Sequence, residues 1–499
     1  MPNRTWLRIA AGGLLGLLVG LVLAPSRPVL DAAGATGDAR LVEEVLALVG
    51  DAPHAGLVAA VVEADGTLHT AGLGTADGER PVDADTPFEA GSVTKAMVGM
   101  LLADLVGSDA ALDARTPLGQ VLPGLAERPA GAITLEELAQ HRSGLPVMAP
   151  AGPTGFLRVL GSTWLGTDPY GWASGDDLVA AAATSDASGG ADPTYSNFGF
   201  GLLGTALATS ADTELDLLLD ERLWTPLGMD DTVRVETDGP LPAGHAHPHR
   251  GGDTRVSTWH GEGYLGAGAG IWSTARDLTR LAVSTRDGSA PGAEAAAPRA
   301  DFGGTSRIGW GWLTTRQDAL EVTWHDGGTG GMRSFVGFTD ERVAVVLARG
   351  DRSVDHVGTG LLGAGAEPPT PVPATQYPLL AVTIGLPLAA AVTLLVVARR
   401  RRDAAPGPGP DRLRLVTATM GGATLLVLIW RAGLWGVVPP PWWAVGVGGF
   451  GAGLVAAGLR WTTLPRVASG RPALRWAGVA WSAAFLIASV VLVSATLGG

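Results

Sequence analysis

At 499 residues the chain has room for two to four domains. With 46% apolar residues and a mean hydropathy of +0.25, part of it is expected to sit in lipid. It has no cysteine, which excludes disulfides, thiol nucleophiles, zinc–cysteine sites and a lipoprotein anchor. The net charge of −13 is unevenly spread: 11 Arg against 2 Asp from Tyr377 onward, 3 Arg against 1 Asp in residues 1–35, and −24 in the middle, an acidic balance that speaks against a nucleic-acid-binding surface.

Trp6 to Ala24 is a continuous apolar stretch after Arg4 and Arg8, either a signal peptide or an uncleaved anchor. Its basic flank places the N-terminus in the cytoplasm and the following chain outside. Asp38 to Val49 has the spacing of an amphipathic helix. Leu57 to Val62 and Leu68 to Leu73, separated by Asp65-Gly66, predict a β-hairpin.

Next comes Gly91-Ser92-Val93-Thr94-Lys95-Ala96-Met97, opening an apolar helical run through Met100, Leu101 and Leu105. Lys95 is the sole lysine; the other 34 Lys/Arg positions are arginine, which keeps its proton in proteins. Lysine loses its proton readily when buried. Residues i and i+3 share a helix face, so Ser92 and Lys95 lie side by side. A neutral lysine there is a base for the serine hydroxyl, and the helix N-terminus offers N–H groups to an oxyanion.

Ile133 to Gln140 reads as a short helix ending at His141-Arg142-Ser143-Gly144, with His141 structural. Residues 147–175 lack periodicity and read as a long loop, whose Trp164, Tyr170 and Trp172 either roof a site or pack the loop. Thr194-Tyr195-Ser196-Asn197 precedes a helix over Phe198–Leu207. Leu215–Leu223 and Asp277–Ser284 are further helices. His245, His247 and His249 alternate, but Pro248 and nearby glycines suggest a loop, and no metal site is assigned. Residues 286–305 read as a surface excursion. Trp310–Trp312, Val322–Trp324, Phe335–Phe338 and Val343–Leu347 look like strands, and Trp324-His325-Asp326-Gly327-Gly328-Thr329-Gly330-Gly331 continues one of them.

Glu367 to Thr375 is a proline-rich linker. Beyond it four spans are expected: Pro378–Ala398, Leu415–Leu434, Trp442–Leu459 and Trp476–Leu497. The loops after the first and third hold the arginines, which places those loops in the cytoplasm. The spans contain no acid, lysine or histidine, which disfavours a proton or ion path. The division is thus 1–35 signal or anchor, 36–366 main domain, 367–376 linker, and 377–499 membrane module.

Three motifs in order, Ser92-Val93-Thr94-Lys95, Tyr195-Ser196-Asn197 and His325-Asp326-Gly327, make residues 40–350 resemble the serine β-lactamase and penicillin-binding-protein-like family, especially its class C and DD-peptidase/esterase branch. The resemblance implies an α+β fold: an antiparallel sheet with flanking helices and a helical subdomain, here followed by a transmembrane helical module. It implies that Ser92 forms an acyl-enzyme and that Lys95 and Tyr195 handle its proton, with the base left open between them. Asn197 would bond substrate amide and Lys95, and the N–H groups of Ser92 and Gly328 would form the oxyanion hole. His325, Gly327 and Gly328 would line the substrate site. The third motif departs from the family's commoner Lys/His-Thr-Gly. A part-time charge on His325 and a carboxylate at Asp326 would hold a substrate carboxylate poorly, favouring esters or amides without one. No metal or organic cofactor is implied. The implied partners are a small-molecule or peptidoglycan-like substrate and the lipid bilayer, with no nucleic acid. The resulting reading is a membrane-anchored extracytoplasmic serine hydrolase, the alternative a penicillin-binding sensor that acylates without turnover and signals through the C-terminal helices.

Overall fold

The computed structural model describes the chain except residues 1, 109–111, 252–253, 318–319, 366–376, 400–410, 468–471 and 498–499. The proline-rich linker lies outside the described residues. The rest divides into two compact units, residues 29–250 with 256–370, and residues 1–28 with 251–255 and 371–499.

The larger unit is built on nine strands: β1 (Thr36–Gly37), β2 (Gly56–Val62), β3 (Leu68–Gly74), β4 (Ala300–Gly303), β5 (Ser306–Ile308), β6 (Leu313–Gln317), β7 (Leu320–Gly328), β8 (Met332–Phe338) and β9 (Val343–Arg349). Their spatial order is β1-β3-β2-β9-β8-β7-β6-β5-β4, every neighbouring pair antiparallel. The β2–β3 hairpin turns at Asp65-Gly66, as the sequence predicts. Every residue of β2 and β9 is buried, so both faces of the sheet are covered. Alternation then sorts the side chains. Val58, Ala60, Val336 and Val345 enter the larger core. Leu57, Ala59, Phe335 and Val346 enter a smaller one under α2 (Ala39–Val49) and a short helix at Asp355–Leu361.

Within the larger core runs α3 (Thr94–Ser108), in which all residues from Thr94 to Ala103 are buried. It is apolar all round, as a central helix must be. Two sequence expectations are corrected here. Residues 152–165, read as part of a long loop, form α4 (Gly152–Leu165), which Gly166 closes in a left-handed conformation. Trp310-Gly311-Trp312, read as a strand, is a bend with Gly311 at φ +77°, its neighbouring indoles buried in the core; the strand begins at Leu313. The stretch 286–305 is less of an excursion than expected, because it supplies β4 and the buried Ala295. The helix after the second motif is α5 (Asn197–Ala211), capped by Ser196, whose Oγ accepts from Gly199 N at 2.8 Å.

The smaller unit holds α1 (Pro2–Val22), α6 (Tyr377–Arg399), α7 (Arg412–Ala432), α8 (Pro441–Arg460) and α9 (Pro472–Leu497). All five are long and apolar enough to cross a membrane.

Candidate active site

Ser92 sits in a short turn, Gly91–Val93, immediately before α3. Gly91 has φ +55°, and a Cβ there would stand 3.1 Å from Gly328 N, so both backbone shape and closeness to β7 require glycine. The turn is stitched to the sheet: Ser334 Oγ donates to Ala90 O at 2.7 Å, and Ala90 N donates to Ile271 O at 2.9 Å.

Lys95, one turn on, is fully buried, whereas Ser92 remains partly exposed. Lys95 Nζ donates to Ser92 Oγ at 2.7 Å and to Ala267 O at 2.9 Å. It also lies 4.9 Å from the Tyr195 ring centroid and 5.7 Å from that of Phe200. Burial brings its pKa down from 10.5 to about 7, with the charge of Asp326 pulling the other way. Near neutral pH a large share of Lys95 is therefore the free amine.

Tyr195 stands beside Ser92 and Lys95. Burial, then the Asp326 carboxylate, push its hydroxyl well above the usual tyrosine range. Both effects favour the phenol form of Tyr195. Behind it, the His141 ring packs at 4.5 Å and His141 Nδ1 accepts from Ser196 N at 3.1 Å, a structural role. Asn197 departs from expectation. Its Nδ2 donates to Tyr170 Oη at 2.8 Å, and no hydrogen bond to Lys95 occurs among the described residues. Its buried Oδ1 has no hydrogen-bond partner there.

The third motif lies at the end of β7. His325 pairs with Val336 and faces the same core as α3, whereas Asp326 pairs with Phe335 and turns to the opposite face of the sheet. Burial drives His325 down to about 3, aided by the charge of Lys95. The expectation of a part-time imidazolium is thereby corrected: His325 is neutral. Asp326 likewise does not confront a substrate on the α3 side. It acts through the sheet, favouring the protonated forms of Lys95 and Tyr195. Gly327 presses on the nucleophile's turn; a Cβ there would stand 2.6 Å from Ala90 O and 3.0 Å from Ser92 N.

Sequence reasoning missed a second layer. Glu89 accepts from Trp259 N and from Thr329 Oγ1, each at 2.7 Å, and so joins the strand before Ser92 to the loop after the third motif. Burial lifts it to about 7. Its signal was an acid inside the apolar run Phe88-Glu89-Ala90. Tyr170, which the sequence left between roofing the site and packing a loop, packs edge-on against Trp259 and holds Asn197. A cavity of about 310 Å³ lies between α4 and Met148, Pro150, Pro169 and Trp172. Among the described residues no group of three or more His, Asp or Glu is arranged to hold a metal ion.

A serine at the head of a buried helix, with the chain's one lysine against it and a glycine-rich strand end beside it, defines a β-lactamase-type serine hydrolase. Residues 39–366 match the family model described as Beta-lactamase, and the chain belongs to that family. It is 30% identical to the esterase EstB of Burkholderia gladioli, over 52% of this chain and 74% of that one. It is 28% identical to penicillin-binding protein 4 of Amycolatopsis lactamdurans, over 55% and 72%. In fold it is similar to a class C β-lactamase, with a TM-score of 0.55 at 19% identity, covering 66% of this chain and 98% of that one.

Proposed function

We propose that this protein is a membrane-anchored extracytoplasmic hydrolase that cleaves an ester, an amide or a D-amino-acid peptide through an acyl-enzyme on Ser92. The observation that carries this reading is the 2.7 Å contact between Ser92 Oγ and a fully buried lysine whose pKa is about 7. Ser92 Oγ attacks the carbonyl carbon and its proton passes to Lys95 Nζ. The N–H groups of Ser92 and Gly328 receive the oxyanion. Tyr195, a phenol beside Ser92, relays the proton from Lys95 to the leaving group as the carbonyl re-forms. Asn197 Oδ1 accepts a substrate N–H. Water then attacks the ester carbonyl and Lys95 takes its proton; as the acyl–oxygen bond breaks, Lys95 returns that proton to Ser92 Oγ and the acid leaves.

The likeness to an esterase, to a penicillin-binding protein and, over 30% of this chain, to a D-alanyl-D-alanine-carboxypeptidase/endopeptidase of Escherichia coli supports this range of substrates. A neutral His325 in place of a fixed cation favours substrates without a free carboxylate next to the scissile bond. The test uses the full-length protein in detergent. A fluorophosphonate probe is expected to label it, and Ser92→Ala to abolish labelling; undiminished labelling of the variant sinks the assignment. Turnover is expected to be faster on a nitrophenyl ester than on a D-Ala-D-Ala peptide or a chromogenic cephalosporin. A burst of acylation with no steady product release on all three would replace the hydrolase with a sensor.

A further inference from the structure

We propose that α4 is an interfacial helix, its outward apolar stripe seated in the outer leaflet of the membrane that the chain's own helices cross. The first observation is an inverted polarity. Surface helices turn charge to water and bury their apolar stripe. In α4, Leu157 is 65% exposed and Leu160 37%. Leu157, Leu160 and Trp164 follow one another at i, i+3 and i+7, one face of the helix. An apolar helix face turned outward, Leu157 and Leu160 exposed beside a half-buried Trp164, is a surface open to an apolar partner.

The second observation is charge. The domain is strongly acidic, yet no Asp or Glu occurs between Glu137 and Asp168, a stretch that carries Arg142 and Arg158. An acidic protein is repelled by anionic lipid, and this is the stretch from which the repulsion is absent. An amphipathic helix lies in the interface plane when its apolar face can enter the headgroup–acyl boundary.

The third observation is tethering. The guanidinium of Arg250 donates to Thr163 O at 2.7 Å and Ser162 O at 2.6 Å, fastening the last turn of α4. The domain that carries α4 is joined to span-length apolar helices at both ends, α1 ending at Val22 and α6 beginning at Tyr377. A lipid surface is therefore the occupant that this chain itself brings to the domain, and the inference does not depend on the reaction proposed for Ser92.

The test exploits the absence of cysteine. Leu157→Cys and Asp340→Cys, the latter at an exposed hairpin turn, are each labelled with bimane in the full-length chain and reconstituted into phosphatidylcholine–phosphatidylglycerol vesicles. Brominated acyl chains are expected to extinguish most of the emission at 157, and aqueous iodide little of it, with the reverse at 340. Iodide quenching at 157 equal to that at 340 would overturn the proposal. Insensitivity of 157 to both quenchers would also overturn it, in favour of a second copy of the chain covering the helix. Leu160→Cys repeats the measurement one turn along.

Discussion

Lys95 is where one residue decides whether the chain has any chemistry, because Ser92 needs a base and the amine beside it is half free near pH 7. The rate of acylation is expected to rise with pH through an apparent pKa of about 7 and to fall about tenfold per unit well below it, as the neutral amine becomes scarce. Asp326 favours the cation, so Asp326→Asn is expected to lower the Lys95 pKa and move this limb to lower pH. A limb that stays put or moves upward would separate Asp326 from Lys95. Glu89 gives a second test, read in stability. Its carboxyl is raised in the fold from 4.5 to about 7, so the stability it contributes is complete below 4.5, falls as pH rises toward 7 and is level above. Glu89→Gln keeps an amide oxygen for Trp259 N and is expected to flatten that part of the Tm-against-pH curve. An unchanged slope would assign the titration elsewhere. Lys95 was legible in the sequence because it is the sole lysine. Asp326 was legible as a departure from the third motif but not in its effect, and Glu89 not at all, because their influence comes from burial and from which face of a strand each occupies.

The contact between β7 and the turn before α3 sets the geometry at the level of elements. Gly327→Ala puts a methyl group against Ala90 O and the N–H of Ser92. The strand must shift from the turn, spoiling the oxyanion donors, and a loss of about 10²–10³ in acylation rate is expected, as for removal of one such donor. The buried methyl should also cost about 1–3 kcal/mol of stability through overpacking, read as a lowered Tm. Wild-type acylation at lowered Tm would mean that the close approach serves packing alone. The sheet was readable because β2, β3, β8 and β9 carry runs with hairpin signals between them. By contrast α4 was not readable. Its 14 residues include Gly152, Pro153, Gly155 and Gly161, and its apolar stripe turns outward, so neither propensity nor burial pattern announces a helix. Asn197 shows the limit of motif reading: the motif placed it beside the site, but its partner, Tyr170, comes from a stretch with no periodicity to fix its position.

At the scale of the whole molecule, the proposed extracytoplasmic placement of the domain can be tested through the long apolar helices, whose contacts pair their ends. Trp430 Nε1 donates to Leu23 O at 2.8 Å, so the end of α7 lies beside the end of α1. Arg460 donates to Ala398 O at 2.6 Å, so the ends of α6 and α8 lie together. In sequence, the second pair is followed by the arginine-rich stretches, and the first by the acidic domain and by a stretch whose only nearby cation is Arg431. Lysine and arginine mark cytoplasmic loops, so the proposed placement of the acidic domain outside makes a definite prediction for each stretch. Single cysteines test it in the otherwise cysteine-free chain. A membrane-impermeant maleimide on intact cells is expected to label Asp340→Cys in the domain and Val437→Cys in the poorly charged loop. It should reach Ala404→Cys, in the arginine-rich loop, only after permeabilisation. The opposite pattern would reverse the chain in the membrane and remove Ser92 from any extracytoplasmic substrate. Labelling of 437 and 404 together in intact cells would mean that α7 does not cross the bilayer.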